Sequence, residues 1–171
     1  MKNNIFYILF LCAFTAFGQK KDVPPTNEFM VVGQVETEVK YSITDLEKME
    51  SKPIENLVIT NHSGEKRGAI KELKGIPIKT VLSSVKFKSD SPKTLSEFYF
   101  TFIASDGYKV VYSWNELYNT STGDNVYLVT EKEGQKLKEM NDRILIVTTT
   151  DFKTGRRHIK GLSKIVVGRV E

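Results

Sequence analysis

The stretch "FYFTFIASDGYKVVYSW" (98–114) constrains this chain more than any other. Two runs of alternating bulky residues flank Asp106-Gly107, and a pair of antiparallel strands joined by a tight reversal satisfies both runs at once. Asp-Gly suits a two-residue type I′ turn, in which both central positions need positive φ. That register sets Ile103 opposite Val110 and Thr101 opposite Tyr112, with Phe98, Phe100, Phe102 and Ala104 on the other side. Apolar bulk then falls on both faces, which predicts a central hairpin covered on both sides.

The remaining segments read as short strands with a few short helices. "FMVVGQVE" is a strand with an irregularity marked by Gly33, and "SITDLEKME" a short helix. There Ser42 can accept from the Asp45 backbone while the Asp45 side chain reaches back, a relative of the capping box. "ENLVIT" is a strand that runs out into Asn61-His62-Ser63-Gly64. "GIPIKTVLSSV" spaces Ile78, Val81, Leu82 and Val85 at i, i+3, i+4 and i+7, as a buried helix does. "NVYLVTEKEGQKL", "RILIVTTTD" and "KIVVGRV" supply further strands. The pattern predicts seven to nine strands with two or three helices: an α+β, β-rich domain.

The first 18 residues read as an export signal, with Lys2, an apolar run from Ile5 to Phe17 and small residues at Ala16 and Gly18. The run is shorter than the roughly 20 residues of a bilayer span, so no stable membrane insertion is expected after cleavage. Residues 19–27, with Pro24-Pro25, read as an extended leader, and the domain is expected over 28–171. A periplasmic or secreted protein follows. Cys12 is the only cysteine and leaves with the signal, so the mature chain has no disulfide and no thiolate nucleophile or ligand.

The formal charge of +4, or +3 without Lys2, is too small an excess to imply nucleic acid. Neither a phosphate-binding glycine loop, a G-x-S-x-G elbow nor an HExxH helix is present. Two basic patches, "EKRGAIKELK" (65–74) and "KTGRRHIK" (153–160), could hold a phosphate or carboxylate, and otherwise read as solvated loops. Tyr108 is expected to pack across the hairpin and Trp114 in the core.

Four stretches, in order, resemble the oxidoreductase molybdopterin-binding domain, the sulfite oxidase-type fold. They are "KGIPIKTVL", "ASDGYKVVYS", "NVYLVTEKEGQKL", and "DRILIV" with "RRHIKGLSKIVV". The resemblance covers roughly residues 29–170. It implies a molybdopterin cofactor held by a cysteine just after the strand that here reads "NLVIT". At that place this chain has Asn61, His62 and Ser63, and the mature chain has no cysteine to substitute. The resemblance also places Lys160 near a pterin phosphate and Arg143 at the head of the preceding strand, where "MND" replaces the usual Gly-x-Pro.

The candidate cofactor-binding residues are therefore Asn61, His62, Arg67, Arg143, Arg156, His158 and Lys160, with no catalytic or metal residue assigned. His62 suits a ligand or acid/base role, while Asn-His-Ser-Gly is also ordinary turn chemistry. The leading expectation is an exported, non-catalytic domain that binds a pterin or another small anion. The alternatives are an active molybdenum-cofactor oxidoreductase anchored without a thiolate, and an envelope protein-interaction domain with no small ligand.

Overall fold

The computed structural model describes residues 23–171, so the segment expected to be an export signal, with Cys12, lies outside the described residues. Twelve strands and four short α-helices alternate along it. β1 (Glu28–Gly33), β2 (Val39–Ser42) and α1 (Ile43–Leu46) come first. β3 (Lys52–Ile54), β4 (Leu57–Thr60), β5 (Lys66–Ile70), β6 (Leu73–Pro77) and α2 (Ile78–Val81) follow. Then come β7 (Phe98–Ala104), β8 (Lys109–Ser113), α3 (Trp114–Tyr118), α4 (Ser121–Asp124), β9 (Val126–Lys132) and β10 (Gln135–Lys136). β11 (Leu145–Thr148) and β12 (Leu162–Arg169) complete the set.

These form a mixed five-stranded sheet in the order β2-β1-β12-β7-β8, and a second sheet β10-β9-β6-β3 with β11 also on β9. β4 and β5 make a separate two-stranded sheet. The domain is α+β and rich in β structure, with more and shorter strands than the alternation alone suggests. β5 is the clearest addition, because "KRGAI" carries no apolar alternation and is a strand only through its pairing with β4.

The capping box of α1 is as the sequence predicts: the Asp45 N–H donates to Ser42 Oγ, and the Ser42 N–H to Asp45 Oδ2 at 3.0 Å. Ile78, Val81, Leu82 and Val85 are all buried, although the helix is four residues long and continues as a 3-10 turn over Leu82–Ser84. Gly33 lies at φ +97°, and a Cβ there would stand 2.2 Å from the Val167 carbonyl oxygen, so only glycine lets β1 approach β12 so closely.

The hairpin differs from expectation in register and in place. Phe102 pairs with Val110, Thr101 with Val111 and Phe100 with Tyr112. Positive φ occurs at Gly107, and not at Asp106. The Ala104 N–H donates to Tyr108 O at 2.9 Å, and the Gly107 N–H to Ala104 O at 3.0 Å. The loop is thus three residues, Ser105 to Gly107, with Gly107 as its left-handed residue. β8 is an edge strand, and one hairpin face stays open, with Val111 57% exposed. Phe98, Phe100, Phe102, Val110 and Tyr112 share the covered face instead. Sheet order, which no local pattern encodes, decides this.

Residues 23–27 belong to no helix or strand and are tied to the domain. Thr26 Oγ1 donates to Leu162 O at 2.8 Å, and the Asn27 carbonyl accepts from Ile43 N at 2.9 Å. Trp114 is half-buried and stacks on Tyr118, with ring centroids 5.1 Å apart. Among the described residues, no helix is long and apolar enough to cross a membrane.

Candidate functional site

β4 delivers the Asn61–Gly64 loop, and a 3-10 turn over Thr154–Arg157 braces it. Thr154 is buried; its Oγ1 donates to Val58 O at 2.8 Å and accepts from the Thr60 N–H at 3.0 Å. One hydroxyl therefore satisfies two backbone groups on the free edge of β4. Gly155 follows because a Cβ there would lie 2.1 Å from the Thr60 carbonyl oxygen. Next, Arg156 Nε donates to the His62 carbonyl at 3.0 Å.

Asn61 is consumed by its own turn. Its Oδ1 accepts from Ser63 N at 3.0 Å and Glu65 N at 2.9 Å, while Nδ2 donates to Glu65 Oε2 at 2.9 Å. Both acceptor positions of the amide oxygen are taken. The His62 ring is exposed and stacks on Tyr108 at 6.2 Å between centroids. Tyr108 thus packs away from its own hairpin, and its hydroxyl donates to Arg156 O at 2.5 Å. Partial burial raises the Tyr108 phenol above its ordinary value, and the Arg156 charge offsets part of that rise.

The structure therefore brings Asn61, His62 and Arg156 together, with Arg67 joined to Asn61 through the shared Glu65 Oε2, and Arg143, His158 and Lys160 belong to other groups. Arg67, on β5, pairs with Glu65 at 3.2 Å. Lys160 pairs with Asp142 at 2.8 Å, and Lys132 meets the same carboxylate at 2.5 Å. Burial alone would raise the Asp142 pKa, but hydrogen bonds from both lysines outweigh it and hold the carboxyl below its usual range. Arg143 has φ +46° and its guanidinium donates to the Asn27 side-chain oxygen. His158 lies beside the Lys132–Asp142–Lys160 group, and its Nε2 is buried with no hydrogen-bond partner among the described residues. Burial, reinforced by the Lys160 charge, lowers its pKa to about 4.

Arg157, which the sequence places in the same basic run, turns inward. It grips Asp151 with two hydrogen bonds, reaches Glu116 with a third, and lies 4.8 Å over the Tyr112 ring. Tyr112 and Thr148 hydroxyls bond at 2.7 Å below it. Asp142, Lys132, Thr154 and Tyr108 are the organising residues that sequence reasoning missed or read otherwise. Their partners lie far along the chain, and no local spacing marks them.

The donor set does not fit a molybdenum–thiolate centre. Asn61 has no free lone pair, the described residues include no cysteine, and no group of three or more His, Cys, Asp or Glu side chains is placed to hold a metal among them. A cleft of about 570 Å³ opens on the other side of Thr60 and Thr154, between the β3–β4 link and residues 149–154. Lys160 is not among its lining residues.

Comparison with protein-family models finds no match, and neither does comparison with curated proteins. Among solved structures, the chain is similar to sulfane dehydrogenase SoxCD from Paracoccus pantotrophus, with 12% identity and a TM-score of 0.63. The match covers 82% of this chain and 37% of that one, so this chain spans well under half of its structural neighbour. At that identity the likeness is one of fold.

Proposed function

We propose that this chain is an exported, non-catalytic domain of the sulfite oxidase-type molybdopterin fold, and that it binds a small anion, such as a pterin phosphate, on the loop where that fold carries its metal thiolate. The likeness to SoxCD supports a molybdopterin-related fold alone; the apolar run at 5–17 motivates export, and the mature chain's lack of cysteine motivates the non-catalytic reading. The observation that carries the second is the charge on the rim. Arg67, Arg157 and Lys160 each have a carboxylate partner, whereas the ion pairs among the described residues leave out Arg156 and Lys153. Arg156 is fixed through its Nε to the His62 carbonyl, and the Lys153 stem lies against Gly64. Two cations beside an exposed imidazole form a shallow anion seat, made of donors that can bond an oxyanion with charge assistance.

Metal analysis and pterin fluorescence on protein from a cofactor-competent host test the non-catalytic reading. The expected result is no stoichiometric molybdenum; molybdenum together with turnover of sulfite or a sulfoxide refutes it. An NMR titration with inorganic phosphate tests the anion seat, with Arg156→Ala expected to abolish the shifts at residues 61–64. Cell fractionation tests export.

A further inference from the structure

The cleft between the β3–β4 link and residues 149–154 has a chemistry unlike that of the basic rim, and we propose that it is a binding site for a neutral saccharide. Its volume of about 570 Å³ lies within the range of roughly 300–1,000 Å³ typical of small-molecule sites. No Lys, Arg or His lines it. Of its two carboxylates, Asp151 is neutralised by Arg157, and Glu55 is exposed. An oxyanion therefore meets no counter-charge there and one like charge.

What the lining offers is paired donor and acceptor capacity. Thr60, Thr149, Thr150 and Thr154 bring hydroxyls, and Asn56 and Asn125 bring amides. Each such group both donates and accepts, which is the complement of a ligand hydroxyl that does the same. Cations only donate and carboxylates only accept, so a cleft built from hydroxyls and amides favours an uncharged, hydroxyl-rich ligand over an ion. Thr60, Thr149, Thr154 and Asn125 already bond within the protein, which fixes their positions. Asn56 and Thr150 are exposed and remain open to a ligand.

The cleft also has aromatic residues to meet the carbon faces of a sugar ring. Tyr127 is half-buried in its lining, and Phe152 is wholly exposed, at 101%. Phe152 packs on nothing that its exposure reveals, so a role in the core does not account for it. An aromatic body at the rim of a polar cleft can cover the apolar face of a ring while the amides take its edge.

The test is an NMR titration of the purified chain with maltose and with N,N′-diacetylchitobiose, using inorganic phosphate and putrescine as charged controls. Saturable binding of at least one disaccharide is expected, with shifts at residues 53–60 and 149–154. Asn56→Ala and Phe152→Ala, both on exposed positions and checked for folding by circular dichroism, are each expected to weaken it by about tenfold or more. Arg156→Ala and raised salt are expected to leave it unchanged. The proposal is overturned if neither disaccharide binds, if phosphate or putrescine competes for the same shifts, or if neither cleft variant alters affinity.

Discussion

Thr154→Val replaces a hydroxyl with a methyl of nearly the same shape, and so removes its two backbone hydrogen bonds, along with a long 3.5 Å contact to Thr60 Oγ1, without opening a cavity. The bonds lost are Thr154 Oγ1 to Val58 O, at 2.8 Å, and Thr60 N to Thr154 Oγ1, at 3.0 Å. Each stranded backbone group costs about 1–3 kcal/mol when buried. The site is only partly buried, so water relieves some of that cost, and about 3 kcal/mol for the pair is the expected total. For a domain of this size each kcal/mol shifts Tm by about 2–4 °C, so a fall of about 6–12 °C is expected by calorimetry. Thr154→Ser keeps the hydroxyl and loses one methyl, at a cost of about 1 kcal/mol. Amide exchange at residues 60–64 should quicken in the valine variant and not in the serine one. If Thr154→Val stays within about 1 kcal/mol of the parent, or if serine is as harmful as valine, the threonine does not brace the loop and the reasoning fails.

Further perturbations probe the neighbouring groups. Gly155→Ala sets a Cβ 2.1 Å from the Thr60 carbonyl, and overpacking against backbone should cost about 1–3 kcal/mol, read by urea titration. Arg157→Met leaves Asp151, whose side chain is 12% exposed, without its partner, and should cost about 3 kcal/mol in the same measurement; Arg157→Lys should recover little of it, because the two-bond grip needs a planar fork. His158 binds its proton more weakly when folded than when unfolded, so its contribution is complete above pH 6.5 and is lost as the pH falls toward about 4. Stability should drop by about 3 kcal/mol across that window, and His158→Gln should flatten the slope; an unchanged slope refutes the assignment.

Local chemistry is legible in the sequence wherever partners are close along the chain. Ser42 and Asp45 are three residues apart, and the capping box is as expected; Ile78, Val81, Leu82 and Val85 lie on one helical face and are buried together. The hairpin was legible in position, but Asp-Gly serves two turn geometries. The observed one is accompanied by bonds that reach outside the hairpin, from Ser105 N to Gly161 O and from Ser105 Oγ to Pro24 O. The candidate site shows the same limit. Asn61 could be read as turn chemistry, whereas the pairing of Asp142 with both Lys132 and Lys160, or of Arg157 with Glu116, depends on how distant segments meet. Similar basic residues in one run, Arg156 and Arg157, end in opposite roles because one faces a loop carbonyl and the other a buried carboxylate.

The parallel pairing of β1 with β12 has a consequence for how this chain comes to be folded. Val31 sits beside Ile165, and β12 also carries β7 on its other side. Until residues 162–169 have been made, the five-stranded sheet is two unconnected pieces, β2 with β1 and β7 with β8. Closing a loop of more than a hundred residues is slow compared with forming a hairpin. The nascent chain therefore holds β7, with Phe98, Phe100 and Phe102, without its pairing partner while residues 105–161 are made, and acquires the middle strand of this sheet last. Ordering of the domain is timed by its final segment, which joins two halves that cannot meet without it.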